Sequence, residues 1–228
     1  MKEAIKRLPI VGPLAQRLYW KWLALGEKPV PFKDSSSYWE QRYSAGRDSG
    51  PGSYGQFAEF KAEVLNHFVS KNAVQSVIEF GCGDGNQLSL ATYPSYIGLD
   101  VSSTAVARCR DRFKQDLTKS FRTVSEYAGE KADLALSLDV TYHLVEDRVF
   151  ANYMHTLFNA ANRFVIIYSS DTDDNRGFQA HIKHRKITRW IAENERDWRL
   201  VEHIPNRYPY RGDEGTGSFA DFLIYGGI

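Results

Sequence analysis

The chain has 228 residues, 43% of them hydrophobic and 25% charged, enough for one globular domain with a sizeable core, which excludes a disordered or fibrous protein. Its 29 Lys and Arg balance 28 Asp and Glu, so it lacks the positive field of a duplex-binding protein, and no nucleic-acid partner is expected. With only Cys82 and Cys109, neither a disulfide framework nor a cysteine zinc site is expected.

No apolar run reaches the roughly 18 residues of a membrane span. Pro9, Gly12, Pro13, Gln16 and Arg17 interrupt the N-terminal apolar stretch, unlike a secretory signal, so the cytoplasm is the expected compartment. Residues 1–28 carry Lys2, Lys6, Arg7, Arg17, Lys21 and Lys28 against Glu3 and Glu27. Leu14, Leu18, Trp22 and Leu25 share one helical face there, which predicts a basic amphipathic helix. It has two readings: peripheral contact with an anionic membrane face, or packing on protein.

Residues 29–56, rich in Pro, Ser, Gly and Tyr, read as an irregular connector, either a lid or a linker. The main domain is expected over 57–228. It opens with a helix marked by Phe57, Phe60, Val64, Leu65 and Phe68. From residue 74, short apolar runs alternate with helical segments, the signature of a parallel sheet covered on both faces. Strands are predicted at 75–80, 96–100, 120–124, 132–138 and 163–169. Helices are marked by Val106, Cys109 and Phe113, and by Phe150, Tyr153, Met154, Leu157 and Phe158. The runs 198–204 and 219–225 predict a terminal antiparallel pair.

The segment V-I-E-F-G-C-G-D-G at 77–85 is a strand entering a glycine-rich turn, with a short helix expected to begin near Asn86. Gly81, Gly83 and Gly85 let a ligand approach the main chain, and Asp100 ends the next strand about 20 residues on, where an acidic residue holds ribose in nucleotide folds. A pyrophosphate would be repelled by Glu79 and Asp84, whereas a sulfonium would not.

The E-x-G-C-G-x-G turn with Asp100 resembles the class I S-adenosylmethionine-dependent methyltransferases. The resemblance implies an α/β fold, a Rossmann-like doubly wound, mostly parallel seven-stranded sheet with an antiparallel last strand, and S-adenosylmethionine as cofactor. It places Glu79, Gly81, Cys82, Gly83, Asp84 and Gly85 along the methionine part, Asp100 on the ribose, Val101 beside adenine, and Ser125, Glu126 and Tyr127 near the adenine edge. Tyr54 is a further expected cofactor contact. S-Y-W-E-Q-R-Y, S-G-P-G-S-Y-G, D-V-T-Y-H-L and I-P-N-R-Y-P are similar to bacterial methyltransferases that modify glycans, which implies a glycan or small-molecule acceptor.

The strand 132–138 runs into D-V-T-Y-H-L, putting Asp139 and His143 at the sheet edge where open α/β folds bind ligands. A hydroxyl acceptor must lose its proton, so His143 is the candidate general base, with Asp139 orienting the acceptor, lining the cofactor pocket or holding a metal. Asp139 with Asp171 or Asp173 forms a candidate magnesium site, and a solvated acidic loop explains the same run. His181 and His184 follow near the same edge, and Tyr38, Trp39, Tyr43, Tyr208 and Tyr210 are aromatic candidates for sugar stacking or lid packing. Methylation of a sugar hydroxyl is the leading expectation. A small amine, thiol or phenol acceptor and a non-catalytic cofactor-binding scaffold are the competing ones.

Overall fold

The computed structural model describes residues 32–177, 179–213 and 215–228, so the basic segment 1–28 and its helix lie outside the described residues. Seven strands form one sheet: β1 Val77–Phe80, β2 Tyr96–Asp100, β3 Lys119–Thr123, β4 Ala132–Leu138, β5 Ala161–Ser169, β6 Trp198–Ile204 and β7 Asp221–Gly227. Their order is β3-β2-β1-β4-β5-β7-β6. The pairs among β1 to β5 are parallel, and β7 runs antiparallel to both β5 and β6. This is the doubly wound, Rossmann-like architecture expected from sequence, with the last strand reversed.

Among the described residues, five helices accompany the sheet: α1 Ser35–Ser44, α2 Gly55–Lys71, α3 Ser103–Arg112, α4 Asp147–Asn159 and α5 Ile187–Asn194. Alternate residues of each central strand serve opposite faces. Val77, Leu134, Leu136 and Ile166 pack with Phe60, Leu65 and Phe68 of α2. Ile78, Ala135, Val165 and Ile167 pack with Phe150, Met154 and Leu157 of α4 and with Ile187 and Ile191 of α5. Both faces being covered explains why β1, β4 and β5 read as continuous apolar runs. Among the described residues, no helix is long and apolar enough to cross a membrane.

Three elements differ from expectation. Residues 35–44, expected to be irregular, form α1. Asp34 caps it by accepting from the Ser37 amide at 2.7 Å. The helix is then latched at both ends. Ser35 donates to Glu146 through its amide (3.0 Å) and hydroxyl (2.6 Å), Thr104 donates to Glu40 at 2.5 Å, and Arg108 donates to the Arg47 and Tyr43 carbonyls. The helix expected near Asn86 is reduced to one 3-10 turn, Leu88–Leu90. There Asn66 of α2 donates to the Leu90 carbonyl and accepts from the Thr92 amide, holding the chain in an extended exit. Helix α5 has no counterpart among the predicted elements.

Leu136 lies at the sheet centre with 0% exposure. Leu136→Ala is expected to cost about 2–5 kcal/mol through the cavity it leaves. Urea titration should show a lowered midpoint at unchanged slope.

Candidate active site

Strand order reverses between β1 and β4, so the chain leaves their carboxyl ends in opposite directions and a crevice opens there. It is a cleft of about 330 Å³. Of the residues singled out by sequence, Glu79, Gly81, Cys82, Gly83, Asp84, Asp100, Val101, Asp139 and His143 all line it. Helix α1 contributes Trp39 and Tyr43, and the loop after it contributes Ser49.

The glycine turn is shaped by close neighbours. A Cβ on Gly81 (φ +91°) would stand 2.3 Å from Val140 Cγ2, and one on Gly83 (φ +57°) 2.4 Å from Ser49 Oγ. Gly85 serves a different purpose. Its Cβ would meet Phe113 and Cys109 at 2.8 and 3.0 Å, so this glycine seats the turn against α3 and its neighbouring loop, outside the cleft lining.

Three carboxylates are buried along this wall. Asp100 accepts from the Gly83 and Ser102 amides, each at 2.9 Å, and burial still lifts its pKa to about 6. Glu79 accepts from the Tyr96 hydroxyl at 2.6 Å, and burial pushes it up to about 7 against the opposing pull of that bond and of Lys61. Asp84 accepts from the Ser49 amide (3.1 Å) and the Tyr54 hydroxyl (2.7 Å). Tyr54 therefore stands behind Asp84 as a support and does not line the cleft.

The residues expected beside adenine stand next to the cleft wall. Val124 lines the cleft, while Ser125, Glu126 and Tyr127 do not. Glu126 folds back in a capping box, accepting from the Thr123 amide and hydroxyl at 2.7 and 2.8 Å. Tyr127 donates to the Glu130 carbonyl and packs edge-on against Phe80.

Asp139 sits just beyond β4 with φ +59°, a left-handed conformation uncommon for a residue with a side chain. Lys61 of α2, 1% exposed, donates to its Oδ2 at 2.6 Å, and the Tyr142 hydroxyl donates to its Oδ1 at 2.7 Å. Each carboxylate oxygen thus has one partner within the protein, which fixes the orientation of the group.

A second pocket of about 240 Å³ adjoins the first and shares Trp39, Ser49, Ser53, Asp139 and His143 with it. Tyr38, Phe57, Tyr142, His181 and Phe219 supply rings to its walls, with Arg42 and Gln179 as polar members. Tyr208 packs instead on Phe57 and Phe60, and Tyr210 on Phe219. His143 stands at the junction, its ring edge-on to Trp39 at 4.8 Å and parallel to His181 at 5.5 Å. Its Nδ1 lies 3.2 Å from the His181 carbonyl oxygen. A carbonyl only accepts, so Nδ1 carries the hydrogen and Nε2 keeps its lone pair. Desolvation among these rings lowers the His143 pKa to about 3.

The proposed magnesium ligands do not gather. Asp139 is committed to Lys61 and Tyr142, Asp171 to Lys186 and Thr188, and Asp173 to Arg189 and the Lys186 amide. Among the described residues, no group of three or more His, Cys, Asp or Glu is arranged to hold a metal ion. His184 bonds Ser170 at 2.6 Å through Nδ1. Sequence reasoning passed over Lys61 and Gln87. Both line the cleft, and Gln87 Oε1 is buried with no hydrogen-bond partner among the described residues.

This sheet order, with a glycine turn and acidic strand ends at the switch point, defines a class I methyltransferase fold. A family model described as a methyltransferase domain matches residues 54–211, more than half of the chain, and the chain belongs to that family. Among solved structures, the chain is similar to the N-methyltransferase NodS from Bradyrhizobium japonicum with S-adenosyl-L-homocysteine. That match has TM-score 0.66 and 16% identity, covering 86% of this chain and 99% of that one. It is also similar to magnesium protoporphyrin IX methyltransferase from Synechocystis with bound S-adenosylmethionine (TM-score 0.61, 16% identity, 88% and 100% covered). The methyltransferase domain of bacterial CtHen1 aligns at TM-score 0.57 and 18% identity, covering 73% of this chain and 96% of that one. No curated protein sequence matches the chain.

The methyl donor of this class is S-adenosylmethionine, and the residues present fit it. A wall of Glu79, Asp84 and Asp100 complements a cation. Asp100 can accept ribose hydroxyls, Val101 offers an exposed apolar side chain to adenine, and Gln87 Oε1 awaits a donor such as the methionine ammonium. Because Glu79 and Asp100 are protonated more readily in the folded protein than in the unfolded chain, they add stability at low pH that is lost as pH rises through about 6 to 7. A cationic ligand reverses that loss by favouring their ionised forms. The thermal shift produced by S-adenosylmethionine should therefore grow between pH 5 and pH 8, and a shift that stays flat would contradict this assignment. Gly85→Ala should lower the melting temperature through its strained φ and the clash with Phe113, while the protein that remains folded keeps its cofactor affinity in calorimetry.

Proposed function

We propose that the protein transfers the methyl group of S-adenosylmethionine to a sugar-type hydroxyl, with His143 as general base. The observation that carries this reading is the junction of the two pockets. A neutral imidazole stands between the cofactor cleft and a chamber walled by rings and hydrogen-bonding groups. Such walls suit ligands that are partly apolar and partly wet, as sugars are. Glu79, Asp84, Asp100, Val101 and Gln87 are assigned to the cofactor, and Val124 replaces Ser125, Glu126 and Tyr127 at the adenine side.

When bound, the cofactor supplies a methyl group already activated by a sulfonium, so the protein's tasks are alignment, exclusion of water and removal of one proton. Trp39 and the rings around His143 exclude water at the junction. His181 fixes the imidazole tautomer through its carbonyl. His143 Nε2 then receives the hydroxyl proton as the new oxygen–carbon bond forms. An imidazole with so low a pKa does not strip the hydroxyl beforehand. It would act as an acceptor that gains the proton only as the oxygen takes on positive charge, the methyl group passing to it from a sulfonium that leaves as a neutral thioether. Asp139 acts in this scheme through Tyr142 and the geometry of the loop, since Lys61 already holds its carboxylate.

His143→Ala is expected to reduce kcat by about 10²- to 10⁴-fold with a far smaller change in cofactor affinity. Full turnover by that variant at neutral pH would remove the histidine from the mechanism. The acceptor class is tested by incubating the protein with S-adenosylmethionine and a panel of glycans, amines, thiols and phenols, scored by mass for the gain of one methyl group. Product from the glycans is expected, and product from the amines alone would replace this reading.

A further inference from the structure

The second pocket carries a charge asymmetry that narrows the acceptor. Asp139 is the one acidic side chain lining it among the described residues, and the buried Lys61 offsets that charge at 2.6 Å. His143 and His181 are held neutral by desolvation and by the nearby Arg42 guanidinium. Arg42 lines the same pocket, its guanidinium 5.8 Å from the Trp39 ring centroid. Its Nε donates to the Asp48 carbonyl at 2.8 Å, and one Nη stands 3.6 Å from the Asp48 carboxylate, which also accepts from the Gly50 amide. These contacts fix the guanidinium through its Nε–H and one Nη, and Nη–H donors are left over for a ligand. Beside it, Tyr38, His181 and His143 stack in a ladder with spacings of 4.6 and 5.5 Å, which turns ring edges toward the pocket.

We propose that the acceptor is acidic, a sugar-type hydroxyl compound whose carboxylate or phosphate is held by Arg42 while the edges of the Tyr38–His181–His143 stack wall the space beside it. The inference rests on the second pocket being the acceptor chamber of the function proposed above. A planar guanidinium pairs with either oxyanion through a two-pronged contact. Its position on α1 puts that contact on the helix that also covers the cofactor. A cationic acceptor meets the opposite field, with Arg42 on one side and the donor sulfonium on the other.

The test compares a uronic-acid oligosaccharide, a sugar phosphate and a neutral oligosaccharide. Each is measured for kcat/KM and, by calorimetry, for binding to protein saturated with S-adenosyl-L-homocysteine. Acidic sugars should be favoured by about tenfold or more over the neutral one, the preference appearing in KM. The carboxylate and phosphate arms distinguish the two oxyanions. Arg42→Met should erase the preference, and Arg42→Lys should restore part of it, because a point charge lacks the fork. Undiminished cofactor affinity in both variants establishes that they fold. Equal kcat/KM and equal binding for acidic and neutral sugars, or a preference that survives Arg42→Met, would overturn the inference and leave methyl transfer to sugars standing. Binding of acidic sugars that depends on Arg42, without methyl transfer, would do the reverse.

Discussion

The Lys61–Asp139 ion pair is the contact around which the two chambers are arranged. Lys61 comes from α2 and Asp139 from the loop leaving β4, so one bond of 2.6 Å ties the helix before the sheet to the strand at the switch point. Burying an ammonium group costs several kcal/mol unless a well-placed partner compensates it. Asp139 is that partner, and Tyr142 occupies its other oxygen. The left-handed backbone at Asp139 is held by this arrangement and by the bond from its amide to the Tyr168 carbonyl. The strain therefore has an evident use: the chain turns sharply enough to bring Val140 over Gly81 and His143 to the boundary between the pockets.

The two chambers differ in their charged linings. Among the described residues, Glu79, Asp84, Asp100, Asp139 and Lys61 line the cleft, whereas Asp139 and Arg42 line the neighbouring pocket, with Asp48 beside the guanidinium. His143 and Trp39 line both chambers and stand between them. In the proposed scheme a cationic donor and its acceptor occupy one chamber each and meet at His143. The arrangement asks little of covalent catalysis and much of placement.

The parts legible in the sequence were those built by local chemistry. The β1 run and its glycine turn, Asp100 at the end of β2, and the apolar β4 before Asp139 are contiguous patterns, and their strands fall within two residues of the expected bounds. Helix α1 was hidden because its support is remote: Ser35 meets Glu146 and Glu40 meets Thr104, contacts with no trace in a Ser-rich segment. Lys61 was hidden for the opposite reason, since one lysine in an amphipathic helix reads as solvated until the tertiary fold closes over it. The turning of Glu126 back onto the main chain has a local signal. T-V-S-E at 123–126 is a capping box, which turns the glutamate back onto the main chain and away from the cleft.

Helix α1 contributes wall residues to both chambers, with Trp39 belonging to each. Any displacement of that one element unroofs both compartments together. The paired hydroxyl–carboxylate contacts at Ser35–Glu146 and Thr104–Glu40 therefore brace a wall of both compartments at once.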